Sequence, residues 1–361
     1  MVNKLKPRLS IKSITKSFGN NLVLKDVNFD LFPGEVTSFI GANGAGKTTL
    51  VKILAGIHNF EKGKIEIDGL DYSPINPTDA MRKGIAIVHQ IISEGVIEDM
   101  TVYENLVIDR LCIGDSDIYF NRNKAKKDAK KIADALDLDL PLNSLTRDLS
   151  QAEKQLVAIA RSMAHEPKIL ILDEPSSSLS SKETERLFSL VEKLKNNGVS
   201  ILYISHKMAD IKRLSDKVVS LRDGRITGTF KRPINFNDAI SSMLGKELAN
   251  IKFSQKQKSD KIIEFSDFQI TEISRKFNLS IYKGQVTALT GLIGTGKSEF
   301  IECIFGLRNQ FNGNIKLNGI AFNPKSPQDA IRNKIYLASE DRTKNSLFSN
   351  FNLFKNIDFP F

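Results

Sequence analysis

The 361-residue chain has no tryptophan, two cysteines and four histidines. No apolar run approaches the roughly 20 residues that a membrane-spanning helix needs. Each shortage excludes something. Cys112 and Cys303 stand in unrelated contexts, without CxxC spacing or a nearby histidine, so both read as ordinary core or surface thiols. The start, MVNKLKPRLSIKSITK, is basic but has no apolar segment behind it. No export signal is therefore expected, and the chain is expected to stay inside the cell with only peripheral membrane contact. At 41% hydrophobic and 26% charged it carries enough apolar residues for a sizeable core. Its length suggests about two domains.

The net charge of +10 fits a nucleic-acid footprint, an anionic membrane surface or simply lysine-rich helices. The densest basic run is NRNKAKKDAKKIADALD (121–137). It places Ala125, Ala129, Ile132, Ala133 and Leu136 at helical spacing and interleaves no aromatic residues. A solvated helix face accounts for it, and no nucleic acid is expected as a partner.

What the chain does have is a glycine pattern, twice. A shift of 250 residues lays GLIGTGKSEF (291–300) on GANGAGKTTL (41–50) without a gap. The same shift pairs Gly34 with Gly284, Gly56 with Gly306, Gly63 with Gly313, Gly69 with Gly319 and Pro77 with Pro327. Shared glycines and prolines fix backbone geometry, so a tandem repeat of one fold is expected. The first domain is expected at 1–248, a polar linker at 249–261, and a second domain, incomplete at its C-terminal end, at 262–361. Short Val/Ile-rich stretches (EVTSFI, GIAIVH, KILILD, VSILYIS) alternate with amphipathic ones, which predicts an α/β fold with a mainly parallel core sheet.

GANGAGKT follows one such strand and opens a helix, the context in which G-x-x-x-x-G-K-[ST] binds phosphate. Gly41, Asn43, Gly44, Ala45 and Gly46 would aim backbone N–H groups at the phosphates, with Thr49 next in the helix's first turn. Lys47 would pair with the β- and γ-oxygens, and the Thr48 hydroxyl would bind Mg²⁺. The second loop offers Gly291, Gly294, Gly296, Lys297 and Ser298 in the same roles, and is expected to follow a strand as well. The apolar run of KILILDEP carries Asp173 and Glu174 to a strand end, where ligands of α/β sheets bind. Asp173 would hold Mg²⁺ and Glu174 would polarise a water. Ser150 is a natural N-cap for a helix whose buried face is Leu156, Ile159, Ala160 and Met163. Gln90 and His206 each follow a strand.

In this order the motifs resemble the nucleotide-binding domain of ATP-binding cassette (ABC) ATPases over nearly the whole chain. GANGAGKT is similar to the Walker A loop, Gln90 to the Q-loop glutamine, LSQAEKQ (149–155) to the signature and LILDEP to Walker B. SSLS (177–180) resembles the D-loop, and His206 the switch histidine. The resemblance implies a P-loop fold with an antiparallel β subdomain and a helical insert, here 95–145, that contacts a membrane partner. It implies ATP and Mg²⁺ as cofactors, with Gln90 joining Thr48, Asp173 and Ser298 as metal ligands. Phe18 would stack on adenine, and Ser150 with Gln151 would meet the γ-phosphate of an ATP bound by another cassette. Gln151 and Ala152 stand where the family usually has glycines, and Ser180 where it usually has aspartate. Two cassettes with ASEDR (338–342), placing Glu340 opposite Gln90, resemble the ribose/galactose/xylose-type sugar importer ATPases. That implies permease subunits and, through them, a periplasmic or surface sugar-binding protein, at the cytoplasmic face of the plasma membrane.

Cassettes of this family work in head-to-tail pairs, so ATP at Lys47 would need a signature from a second cassette in the same or another chain. ATP at Lys297 would meet Ser150 but lacks carboxylate and histidine partners. The chain is thus expected to bind ATP and to hydrolyse it poorly unless first cassettes pair between two chains. The rival expectations are a hydrolysis-deficient fragment and a twin-cassette ATPase acting on ribosomes or nucleic acid. The latter type usually joins its cassettes by a long charged helix, unlike 249–261.

Overall fold

Strand-forming sequence in the first unit sorts into two sheets by how its apolar residues alternate. The computed structural model describes residues 6–88, 95–112, 121–177, 179–245, 260–271, 274–291, 295–308, 311–338, 348 and 350–358. The chain divides into two units, Met1–Lys252 and Phe253–Phe361.

The described strands of the first unit are, in chain order, β1 (Leu9–Phe18), β2 (Asn21–Leu31), β3 (Val36–Ile40), β4 (Lys62–Ile67), β5 (Leu70–Asp71), β6 (Ile85–Val88), β7 (Ile169–Asp173), β8 (Ser200–Ile204), β9 (Lys217–Arg222) and β10 (Arg225–Lys231). An antiparallel sheet has the order β2-β1-β4-β5. In β2, buried Val27, Phe29 and Leu31 alternate with exposed polar residues, as expected of a sheet with one wet face. The second sheet runs β10-β9-β3-β8-β7-β6 and is parallel except for its edge strand β10. Every residue of β3 and β8 is buried, the mark of a sheet covered on both faces. The period of two then divides the core. Leu170 and Leu172 pack with Val36, Ile201 and Tyr203 on one face, whereas Ile169 and Ile171 pack with Phe39, Leu202 and Ile204 on the other.

The described α-helices of the unit are α1 (Lys47–Leu54), α2 (Pro77–Arg82), α3 (Val102–Cys112), α4 (Arg122–Ala135), α5 (Gln151–Met163), α6 (Ser181–Asn196), α7 (Met208–Leu214) and α8 (Phe236–Leu244). The basic run forms α4, which buries Ala125, Ala129 and Ala133 and leaves its lysines outward, so that stretch is a solvated face. Between β6 and β7, α3 is tied to α5 by Arg161, whose guanidinium donates to both oxygens of Asp109 at 2.6 and 2.8 Å. Buried Asn105 fixes the same region, donating to Thr146 Oγ1 and Ile97 O and accepting from Ile97 N.

The second unit repeats the antiparallel sheet. Strands β11 (Lys261–Gln269), β12 (Phe277–Tyr282), β13 (Asn312–Leu317) and β14 (Ile320–Ala321) take the order β12-β11-β13-β14. Its helices are α9 (Lys297–Phe305), α10 (Pro327–Arg332) and α11 (Leu353–Asp358). Gly313 has φ 99° where Gly63 has 105°, and both would drive a Cβ into a neighbouring carbonyl at 2.5 Å. With no tryptophan available, phenylalanine fills the core. Phe265, Phe268 and Phe300 pack with ring centroids 4.9–5.6 Å apart, beside buried Cys303. One expectation fails here. Residues 285–290, the counterpart of β3, form no strand, and Val286 is 100% exposed. In the first unit β8 and β9 hold that segment from both sides. No described strand of the second unit does so.

Candidate nucleotide site

Two glycines make the loop between β3 and α1 possible. A Cβ on Gly41 would lie 2.4 Å from the Leu221 carbonyl oxygen. Gly46, at φ 107°, would bring one to 2.7 Å from Leu24 Cδ2. Gly46 is also the N-cap of α1, which has no side-chain cap and no acid in its first turn. The first N–H groups of the helix, with the positive end of its dipole, therefore face outward for an anion. The Lys47 ammonium arches over the loop and donates to the carbonyl oxygens of Gly41 and Ala42. Burial pushes its pKa down, and the nearby Glu174 and Asp173 carboxylates oppose that.

Lys47, Thr48, Asn43 and Gly44 line a cavity of ≈ 550 Å³ whose opposite wall is Asp173, Glu174 and His206. Parallel β7 and β8 bring that wall together. They pair in register through Asp173 and Ile204, and the Glu174 N–H extends the ladder by donating to Ile204 O at 2.9 Å. Glu174 sits at φ 52°, an unusual conformation for a non-glycine residue and one that concentrates at functional sites. Its side chain is 6% exposed and its Oε1 lies 2.6 Å from Nδ1 of His206, which is 68% exposed. Burial pushes the Glu174 carboxyl up to about 7. Asp173 and Asp210 add to the rise, while Lys47 and the His206 backbone oppose it.

The residues present fit a nucleotide with Mg²⁺. The second carboxylate oxygen of Glu174 is buried without a hydrogen-bond partner among the described residues, a position suited to a water's proton. No group of three His, Cys, Asp or Glu that could hold a metal occurs among the described residues. Thr48 and Asp173 line the cavity and offer the one or two protein oxygens that Mg²⁺ takes, its shell being completed by phosphates and water.

The other expected site residues lie as follows. Ser150 caps α5 through a full capping box with Glu153, and neither it nor Gln151 lines the Lys47 cavity. Phe18 ends β1, 45% exposed, with the His58 ring edge-on at 5.2 Å and Lys16 Nζ 5.1 Å from its centroid. In the second loop Gly296 is again a left-handed N-cap, and Lys297 donates to Gly291 O as Lys47 does to Gly41 O. Ser298 follows in α9. Gln90, Gly294 and Glu340 lie outside the described residues. Asn21 and Val23 also line the first cavity, and sequence reasoning missed them, as it missed the His58 ring beside Phe18. Only their closeness in sequence to Phe18 hinted at Asn21 and Val23.

A glycine-rich loop at a helix N-terminus, facing strand-end carboxylates on a parallel sheet, defines a P-loop nucleotide-binding cassette. The family model described as "ABC transporter" matches residues 24–177 and 274–357. The D-allose import ATP-binding protein AlsA of Escherichia coli (strain K12) is 33% identical over 364 residues, spanning 97% of this chain and 70% of that protein. The ribose import ATP-binding protein RbsA of Yersinia pestis is 35% identical, spanning 96% and 68%. Among solved structures, a nucleotide-free ATP-binding cassette from an ABC transporter aligns with TM-score 0.59 and 25% identity, covering 69% of this chain and 100% of that one. The ADP conformation of a cassette aligns with TM-score 0.58. The chain belongs to the ABC transporter family. No helix among the described residues is long and apolar enough to cross a membrane.

Proposed function

We propose that this chain is the ATP-hydrolysing subunit that energises import of a monosaccharide or a related small polar solute through a membrane permease. The observation that carries the reading is the single cavity in which Lys47 and Thr48 face Asp173 and the Glu174–His206 pair. The sugar importers among its relatives support the substrate class. Bound Mg²⁺, held by Thr48 and Asp173, would neutralise charge on the phosphates. The α1 N-terminus and Lys47 orient the β- and γ-phosphates, and Glu174 accepts the proton of a water lined up on the γ-phosphorus. His206 holds Glu174 at its one satisfied oxygen and leaves the other toward that water. Little covalent work falls to the protein, so positioning and charge complementarity do most of it.

Closure of the site needs a second cassette, in the same or another chain, to bring a signature helix like that of Ser150 and Gln151. We place the chain at the cytoplasmic face of the membrane, with permease subunits on the 95–145 insert and a sugar-binding protein beyond them. Phosphate release from Mg-ATP, measured with the permease and its binding protein in proteoliposomes, tests the reading. Stimulation by a monosaccharide is expected, and Lys47→Ala should lower turnover by about a hundredfold or more. Mg-ATP binding with no stimulation across a panel of monosaccharides and related small polar solutes would refute the importer assignment.

A further inference from the structure

Four residues beyond His206, the carboxylate of Asp210 is buried on α7, and the side chains that donate to it are two hydroxyls. Ser176 Oγ donates to Oδ2, and Tyr203 OH donates to the same oxygen at 3.1 Å. Both hydroxyl residues are wholly buried. Their places in the chain matter. Ser176 lies two residues after Glu174, in the turn that leaves β7, and Tyr203 lies on β8 three residues before His206. A second strap runs alongside, from Lys207 Nζ to the Ser176 carbonyl oxygen. A buried carboxylate whose side-chain donors among the described residues are hydroxyls is costly, and a hydrophobic residue of similar size would fill the volume at lower cost.

We propose that Asp210 is a positioning residue for ATP hydrolysis, tying the turn that carries Glu174 to the segment that carries His206. The two groups come from separate strand ends, and their 2.6 Å contact depends on the relative placement of two turns. Ser176 and Asp210 set that placement from beneath, out of reach of the nucleotide. Asp210 itself touches neither phosphate nor water. The inference rests on the ATPase reading for its consequence, and on the hydrogen bonds alone for its geometry.

The test uses the full chain with ¹⁵N-labelled histidine at one fixed pH. Only four histidines contribute ring signals. Asp210→Ala and Ser176→Ala should each move the His206 ring resonances. Phosphate release should fall by roughly tenfold to a hundredfold while the Kd for Mg-ATP changes by less than about twofold. Asp210→Asn keeps an acceptor for both hydroxyls and should stay near wild type. Unchanged His206 signals in both alanine variants would overturn the proposal. So would loss of Mg-ATP affinity in step with turnover, or an asparagine variant as impaired as alanine. Should Asp210→Ala not fold, Ser176→Ala removes a single oxygen and carries the test. A wild-type chain that neither binds nor cleaves Mg-ATP would sink the ATPase reading, while the His206 spectrum would still judge the strap.

Discussion

Glu174 combines a left-handed backbone, a buried carboxyl and a pKa pushed up to about 7, chiefly by that burial. The consequence for stability has a definite sign. Between the ordinary 4.5 and about 7, the folded chain holds a proton that the unfolded chain has released, so stability from this group falls as pH rises through that window. Above it the penalty stays constant, at about 3 kcal/mol. Glu174→Gln removes the ionisable group. In chelator-treated, nucleotide-free protein it should be more stable than wild type at pH 8, with the difference narrowing to under about 1 kcal/mol near pH 5. Denaturant melts at the two pH values decide this, and a variant less stable than wild type at pH 8 would contradict the burial argument. At this scale the site was only partly legible. Lys47, Thr48, Asp173 and Glu174 are each fixed within a few residues by loop or strand, so spacing alone locates them. Asp210 and His58 reach their places through tertiary contacts, and nothing local in KMADI or GIHNF marks them, whereas Asn21 sits across the β1–β2 hairpin from Phe18.

The two phosphate loops differ where their helices begin. Both α1 and α9 start behind a left-handed glycine without a side-chain cap. The first turn of α1 holds no acid, but α9 carries Glu299 where α1 has Thr49. A carboxylate in the first turn complements the helix dipole and repels an incoming phosphate at the same place. The second loop should therefore bind Mg-ATP more weakly than the first. In a Lys47→Ala background that silences the first loop, Glu299→Thr should tighten binding of a fluorescent Mg-ATP analogue by about two- to fivefold. Weaker binding in that variant would refute the dipole argument. The glycines and lysine of GLIGTGKSEF announced a phosphate loop, whereas this opposing charge appears only when position 299 is set against position 49. The Ser150 cap was readable because a capping box is encoded within four residues. The absent strand at 285–290 was not, because an apolar run specifies a willing strand but says nothing of whether neighbours will pair with it.

The two units of the molecule bury unequal cores. In the first, a six-stranded sheet is covered on both faces by extensive clusters that include Ile169, Leu170, Ile171 and Leu172 from a single strand. Among the described residues, the second rests on a cluster of six buried residues, half of them phenylalanine, beneath a four-stranded sheet. Around it Val286, Tyr336, Leu353 and Phe354 stand exposed, and α11 buries no residue. Hydrophobic stabilisation scales with apolar area removed from water, so the second unit should be the weaker. Unfolding is then expected in two steps, and a single two-state fit should fail. Hydrogen exchange resolved by peptide distinguishes them. Amides of β11 and β13 should exchange well before those of β3, β7 and β8, and the early step should leave the Lys47 cavity able to bind Mg-ATP. One cooperative transition with equal protection in both units would mean that they stabilise each other more than their separate cores suggest. If the early transition is the one observed, the apolar residues it uncovers join those already exposed. Aggregation should then begin at that lower temperature, and light scattering during the melt should rise with the first step.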